Sequence, residues 1–252
     1  MLKLNKAEID FDRLFRRAPM VLAKRIPHIQ DTSRDIGSRQ QATFVVAGKY
    51  INLAYAHYVL EEYEKVKPYF QQAAPFAFLR GFDPQLKTQK VDWTIQQEMN
   101  IVLLFGSSEL LEKLQNSEWS LPDNQIINHA CYLYDHLLLK IGTGILPSAP
   151  LLDAALTAAH TAKDKDVLQY ILPLIEAIQA LVDGDQVKWQ ASIDKAIAWH
   201  TEQCKFGDLK EMEQGFMCLN ALTMAKLGQD LHRWSCSTQS LYLPLFLIAK
   251  DA

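Results

Sequence analysis

The chain has 252 residues, 49% of them apolar, with 26 Lys and Arg against 29 Asp and Glu and a formal charge of −3. A chain of this length buries a large core without metal or disulfide support, and its near-neutral balance gives no overall attraction to nucleic acid. Cys131, Cys204, Cys218 and Cys236 form no CxxC pair and read as reduced core residues of a cytoplasmic protein, and no apolar run approaches the ~20 residues of a membrane span.

Residues 1–40 hold nine Lys and Arg against five Asp and Glu, and these charges leave no apolar stretch of the kind a secretory leader needs. Beyond them, apolar residues recur at three- and four-residue spacing, Gly and Pro are sparse, and no alternating β-branched run persists. The class is all-α. A long helix is expected over Gln41–Gln72, with Phe44, Ala47, Ile51, Ala54, Tyr55, Tyr58 and Val59 on one side and Pro68 bending or trimming its last turn. The tyrosines of this stretch alternate with Glu61, Glu62 and Glu64, which repel phosphate, so they read as core-edge residues and not as base-stacking platforms.

After a loop at Gly81–Pro84, helices are expected over Leu86–Phe105, over a short stretch capped by Ser107 or Ser108 and ending at Leu114, and from the Pro122–Asp123 start signal to about Ile141. The "GTGILPSAP" stretch is the best linker candidate. The expected architecture is a single domain over 1–252, a multi-helix bundle of antiparallel hairpins or an irregular solenoid, with a subdivision into 1–141 and 149–252 left open. Helices then follow at Ala149–Ala162, Asp164–Leu181, Asp185–Lys205 and Leu209–Leu227, joined by short connectors. The turn Asp183-Gly184-Asp185 precedes a face carrying Trp189, Ile193, Ala196 and Ile197, but no fixed repeat period emerges.

Several residues invite catalytic readings that their spacing does not support. His200/Cys204 and His232/Cys236 have the four-residue spacing of paired metal ligands, but nothing is placed to support them as outer partners. Asp135 and His136 are adjacent and so diverge on a helix. There is no GxSxG elbow, P-loop, GxGxxG or DDxxD, and "DKD" at Asp164–Asp166 is a helix-start signal. No cofactor, metal or enzymatic activity is expected.

Near the end, "EQGFMCLNALTMAKLG" suggests a helix stopping at a left-handed Gly228, then a polar turn and "SLYLPLFLI", whose apolar residues must return to close the core. The Trp189–Trp199 helix, the acidic turn into this stretch, the short polar connection and the terminal "SLYLPLFLI" together resemble the immunity protein 49 family of bacterial polymorphic-toxin and contact-dependent competition systems. The resemblance is carried from about residue 185 onward. It implies an all-α antitoxin that binds and neutralises one cognate toxin domain, a nuclease or other cytosol-acting enzyme, by covering its active site, with no direct contact to nucleic acid or membrane. Residues 150–214 hold eleven Asp and Glu against six Lys and Arg. Asp183, Asp185, Asp194, Glu202, Asp208, Glu211 and Glu213 are therefore the candidate toxin-facing set. Trp189 and Trp199 read as core residues that would anchor a partner only if exposed. The alternative reading is a tetratricopeptide-like adaptor or scaffold that binds a peptide or protein in a groove.

Overall fold

The computed structural model describes residues 1–87, 95–117 and 129–249. Ten α-helices build the described residues, and no strand occurs among them, as the all-α reading expects. They are α1 (Phe11–Gln30), α2 (Ile36–Val59), α3 (Tyr63–Gly81), α4 (Gln96–Phe105), α5 (Ser108–Gln115), α6 (His129–Gly142), α7 (Ala149–Thr161), α8 (Leu172–Asp183), α9 (Gln186–Phe206) and α10 (Leu219–His232). A π-helical turn, Val167–Ile171, runs directly into α8. No helix among the described residues is long and apolar enough to cross a membrane. The expected helix start at Pro122–Asp123 and residues 88–94 of the expected Leu86–Phe105 helix lie outside the described residues, while Leu86 itself sits in a turn and Gln96–Phe105 is the helix α4.

The charged N-terminal stretch, for which the sequence predicts no helix, forms the 20-residue α1. Asp10 caps it by accepting from the Arg13 amide. Ala18, Leu22 and Ile29 then pack on Ala42, Val46 and Leu53 of α2 as a small cluster of their own, leaving Arg13, Arg16, Arg17 and Lys24 outward.

The single helix expected over Gln41–Gln72 is two. The chain breaks at Leu60–Glu62, where Glu61 adopts φ 63° and the Glu62 amide donates back to the His57 carbonyl at 2.9 Å. The Glu62 carboxylate closes the turn on His57 Nδ1 at 2.5 Å. Pro68 and Pro75 lie inside α3, so the left-handed residue and its side-chain clasp, not a proline, separate the elements.

α4 is the central helix, buried on nearly all sides and packed against α3, α5, α6 and α10. Its Glu98 meets Arg80 of α3 at 3.1 Å, and the Arg80 guanidinium lies 4.3 Å above the Phe44 ring. One continuous apolar cluster runs from Ile51 and Phe70 through α4, α6 and α8 to Leu247.

The expected Asp183-Gly184-Asp185 turn is present, with Gly184 at φ 74° reversing the chain between α8 and α9. The helix expected over Leu209–Leu227 is not. Residues 207–212 form turns, a short 3₁₀ segment covers Glu213–Phe216, and α10 begins at Leu219. Nor does Gly228 end that helix. It lies within α10 because a Cβ there would collide with the fully buried Trp189 ring, whose Nε1 donates to the Met224 carbonyl at 3.0 Å. The left-handed position is Arg233, φ 62°. The returning segment does close the core: Tyr242, Leu243 and Leu247 are buried, the Cys218 amide donates to the Tyr242 carbonyl at 2.8 Å, and the Tyr58 and Tyr242 hydroxyls donate to the carbonyls of Leu241 and Leu4.

Candidate interaction surface

α9 has two distinct faces. Trp189, Ile193, Ala196, Ile197, His200 and Cys204 are buried against α8 and α10. Lys195, Trp199, Glu202 and Phe206, spaced i, i+4, i+7 and i+11, form the outward stripe. Beside that stripe the π-helical turn and α8 supply Leu168, Leu172, Pro173 and Glu176, and the two walls enclose a groove of about 420 Å³.

Trp199 is the rigid element of this groove. Its ring stacks on Tyr170 with centroids 4.1 Å apart and planes 17° from parallel, and its Nε1 donates to Asp166 at 3.0 Å. It is therefore not the core residue expected from sequence. Trp189 is. The extra residue of the π turn sets Tyr170 under Trp199 while leaving Leu168 39% exposed at the groove mouth. Below the groove, Phe206 is 82% exposed at the end of α9, and Met212 is 47% exposed in the following turns. The rim charges are mostly paired: Glu176 meets Lys195 at 3.1 Å and Glu202 meets Lys165 at 3.9 Å. Such exposed pairs contribute about 0–1 kcal/mol to stability, leaving their carboxylates free to exchange partners.

The seven acidic candidates do not gather on one face. Asp183 and Asp185 sit at the α8–α9 turn, about 25 Å along α9 from Glu202. Asp185 is the N-cap of α9, accepting from the Lys188 amide at 3.0 Å. Asp194 accepts from the Thr238 hydroxyl at 2.6 Å and so pins the returning segment. Glu213 is half-buried near Lys49 and Asn52, and burial raises its carboxyl above the ordinary value despite both neighbours. Glu202, Asp208 and Glu211 remain exposed at the Phe206 end. Asp185→Ala is expected to lower stability by about 1 kcal/mol through loss of the cap, read as a shift in the urea midpoint.

Beneath the groove lies a polar hub that sequence reasoning missed. Asn220 of α10 uses all four of its hydrogen-bonding positions. Its Nδ2 donates to Gln96 Oε1 at 2.8 Å and to the Tyr170 hydroxyl at 3.0 Å, and its Oδ1 accepts from Asn100 at 2.6 Å and Tyr134 at 3.0 Å. Thr223 adds a bond to Asn100 Oδ1 at 2.5 Å. Polar residues recurring on an otherwise apolar helix, Asn220 and Thr223, were the available signal. Gln96 also donates to Asp135 at 2.8 Å, and Asp135 Oδ2 is buried without a partner. Burial raises the Asp135 carboxyl well above its ordinary value, against the opposing Gln96 bond.

The sign of its effect on stability follows from that direction. Below about pH 4 Asp135 is protonated in both states; above it the unfolded chain ionises while the folded one stays neutral, so folding weakens by about 1.4 kcal/mol per pH unit until the folded carboxyl titrates. Asp135→Asn removes this dependence. The variant is expected to gain on the parent in urea midpoint as pH rises from 5 to 8.

Among the described residues no group of three or more His, Cys, Asp or Glu side chains is placed to hold a metal. His200 Nε2 contacts the Gly215 carbonyl at 2.9 Å, and Cys204 Sγ donates to the same oxygen at 3.2 Å. His232 contacts the Leu181 carbonyl at 2.7 Å and stacks on Trp234. What the helices and groove define is an all-α protein that presents a helix face with apolar anchors and a charged rim. The model of the immunity protein 49 family matches residues 148–247, the segment that builds both groove walls, α10 and the returning end. The resemblance carried by the Trp189–Trp199 helix and "SLYLPLFLI" is thus shown over that segment. No curated protein matches the chain, and no solved structure does.

Proposed function

We propose that the chain is an immunity protein that binds one cognate toxin domain and neutralises it by covering its active site. The observation that carries this reading is the coincidence of two things: the family match over 148–247, and the location within that span of the groove, its stacked Trp199 and the exposed Phe206. An interface of this kind draws most of its binding energy from a few aromatic anchors and uses its rim charges for steering. Glu202, Asp208 and Glu211 alternate with the exposed Lys165, Lys195 and Lys205, a rim of both signs that can steer a charged partner, and the toxin in this reading is a nuclease or another enzyme of the cytosol. Inhibition is stoichiometric, one chain occupying one toxin.

Co-expression with a candidate toxin domain taken from a neighbouring gene tests the reading. Cells survive with this chain and die without it. The triple charge reversal Glu202→Lys, Asp208→Lys, Glu211→Lys slows association and weakens binding, whereas Asp183→Lys at the far end does not. Unchanged affinity in a folded triple variant would reject this face.

A further inference from the structure

α1 concentrates positive charge on one side. At about 100° per residue, Arg13, Arg16, Arg17, Met20, Lys24 and Pro27 fall within about 100° of arc, and every one of them is exposed. Ala18, Leu22 and Ile29, which pack on α2, lie on the opposite side. The arc is therefore the face that the fold leaves bare, and it runs for about 17 Å from Arg13 to Lys24. Among the described residues none of its four cations is ion-paired, whereas Arg34 in the next turn meets Asp31 at 3.1 Å. The carboxylates of this region are engaged at helix ends: Asp10 caps α1, Asp35 caps α2, and Asp31 holds Ser33 and Arg34. At the centre of the arc Met20 is 71% exposed. We propose that the outward face of α1 is a docking surface for an anionic lipid bilayer, with the helix lying flat on the headgroups.

The chemistry of the arc selects this partner over a nucleic acid. Reading base edges calls for amides and hydroxyls beside the cations, and the arc holds no Asn, Gln, Ser or Thr. It offers no aromatic ring for stacking on bases either. A bilayer surface accepts both kinds of group that are present: guanidinium groups pair with lipid phosphates while Met20 enters the acyl boundary between them. The apolar stems of the arginines and of Lys24 lie along the same boundary. Charge distribution orients the docking. Residues 1–40 hold nine Lys and Arg against five Asp and Glu in a chain of net charge −3, so the rest of the molecule is negative and is repelled by the same surface. His28 in the last turn senses the local field: desolvation, and then the cations of Arg34, Arg25 and Lys24, hold it below the ordinary value against Asp31. The contact goes beyond toxin binding and runs against the expectation of no membrane partner.

The test is co-sedimentation of the full chain with vesicles of phosphatidylcholine alone or with about 30% phosphatidylglycerol. The chain is expected to sediment with the anionic vesicles only, and to be released as salt rises. Each cation removed is expected to weaken binding about fivefold, so that replacing Arg13, Arg16, Arg17 and Lys24 by Gln weakens it about a hundredfold or more. These side chains are exposed, and an unchanged urea midpoint verifies that the variant folds. Replacing the exposed Lys163, Lys165, Lys188 and Lys205 by Gln makes the same change in net charge and is expected to leave binding as it was. Met20→Ser is expected to weaken binding about threefold or more, a loss that headgroup pairing alone does not produce. Retention of binding in the α1 variant, or no preference for the anionic vesicles, would overturn the assignment. Equal affinity for a short duplex DNA at matched phosphate concentration would overturn it too, in favour of a nucleic-acid surface. No toxin enters these measurements, so their outcome stands apart from the test of neutralisation.

Discussion

Asn220→Leu is expected to lower folding stability by about 4 kcal/mol, because each buried polar group left without a partner costs about 1–3 kcal/mol and relaxation recovers only part of the total. The substitution keeps the branched four-atom skeleton of the side chain. What it removes is the meeting point of four elements: Gln96 and Asn100 on α4, Tyr134 on α6 and Tyr170 in the π turn all lose a bond at once. Gln96 Oε1 and the Tyr134 hydroxyl are left with no other partner among the described residues, whereas Asn100 Nδ2 keeps its bond to the Gln96 carbonyl at 2.7 Å and the Tyr170 hydroxyl its contact with Cys218 Sγ at 3.5 Å. Thr223→Val is the matched control. It deletes one bond, to Asn100 Oδ1, and is expected to cost about 1 kcal/mol. Urea midpoints at constant slope measure both, and equal costs for the two would show that the four bonds do not act as a network.

The same hub explains which parts of the molecule were legible in the sequence. The helical class, the Ser107 cap, the Asp183-Gly184-Asp185 reversal and the returning "SLYLPLFLI" end are local or periodic signals, and each is found as expected. The breaks were less legible because tertiary contacts make them. Glu61 turns left-handed where no glycine marks the place, held by the Glu62–His57 clasp across the turn. Gly228 looked like a helix terminus by residue type, but its role is set by an indole from another helix.

The candidate surface divides along similar lines. Charge counting located α9 and its flanking turns, but it could not separate an N-cap carboxylate such as Asp185, or a strap anchor such as Asp194, from the exposed Glu202. Residue type alone places Trp199 in the core with Trp189, although it lies about 100° around the helix from the buried His200. That angle was readable. The π turn that makes Trp199 half-exposed, with Tyr170 beneath it, was not, because the stretch Val167–Ile171 has ordinary helical composition.

Phe206→Ala is expected to weaken toxin binding by about 2 kcal/mol or more, roughly a thirtyfold rise in Kd, while leaving the unfolding midpoint unchanged. The separation of the two readouts comes from its position. At 82% exposure the ring contributes almost nothing to the fold, so any loss of affinity reports a contact made in the complex. Trp199→Ala is expected to weaken binding as much but to cost stability too, since it also removes the stack on Tyr170 and the bond to Asp166. The two residues are seven positions apart on one stripe and would enter the same partner surface, so their double variant should lose less than the sum of the single losses. Titration calorimetry against the purified toxin domain measures all three. If Phe206→Ala bound as tightly as the parent, the outward stripe of α9 would not be the contact face proposed above.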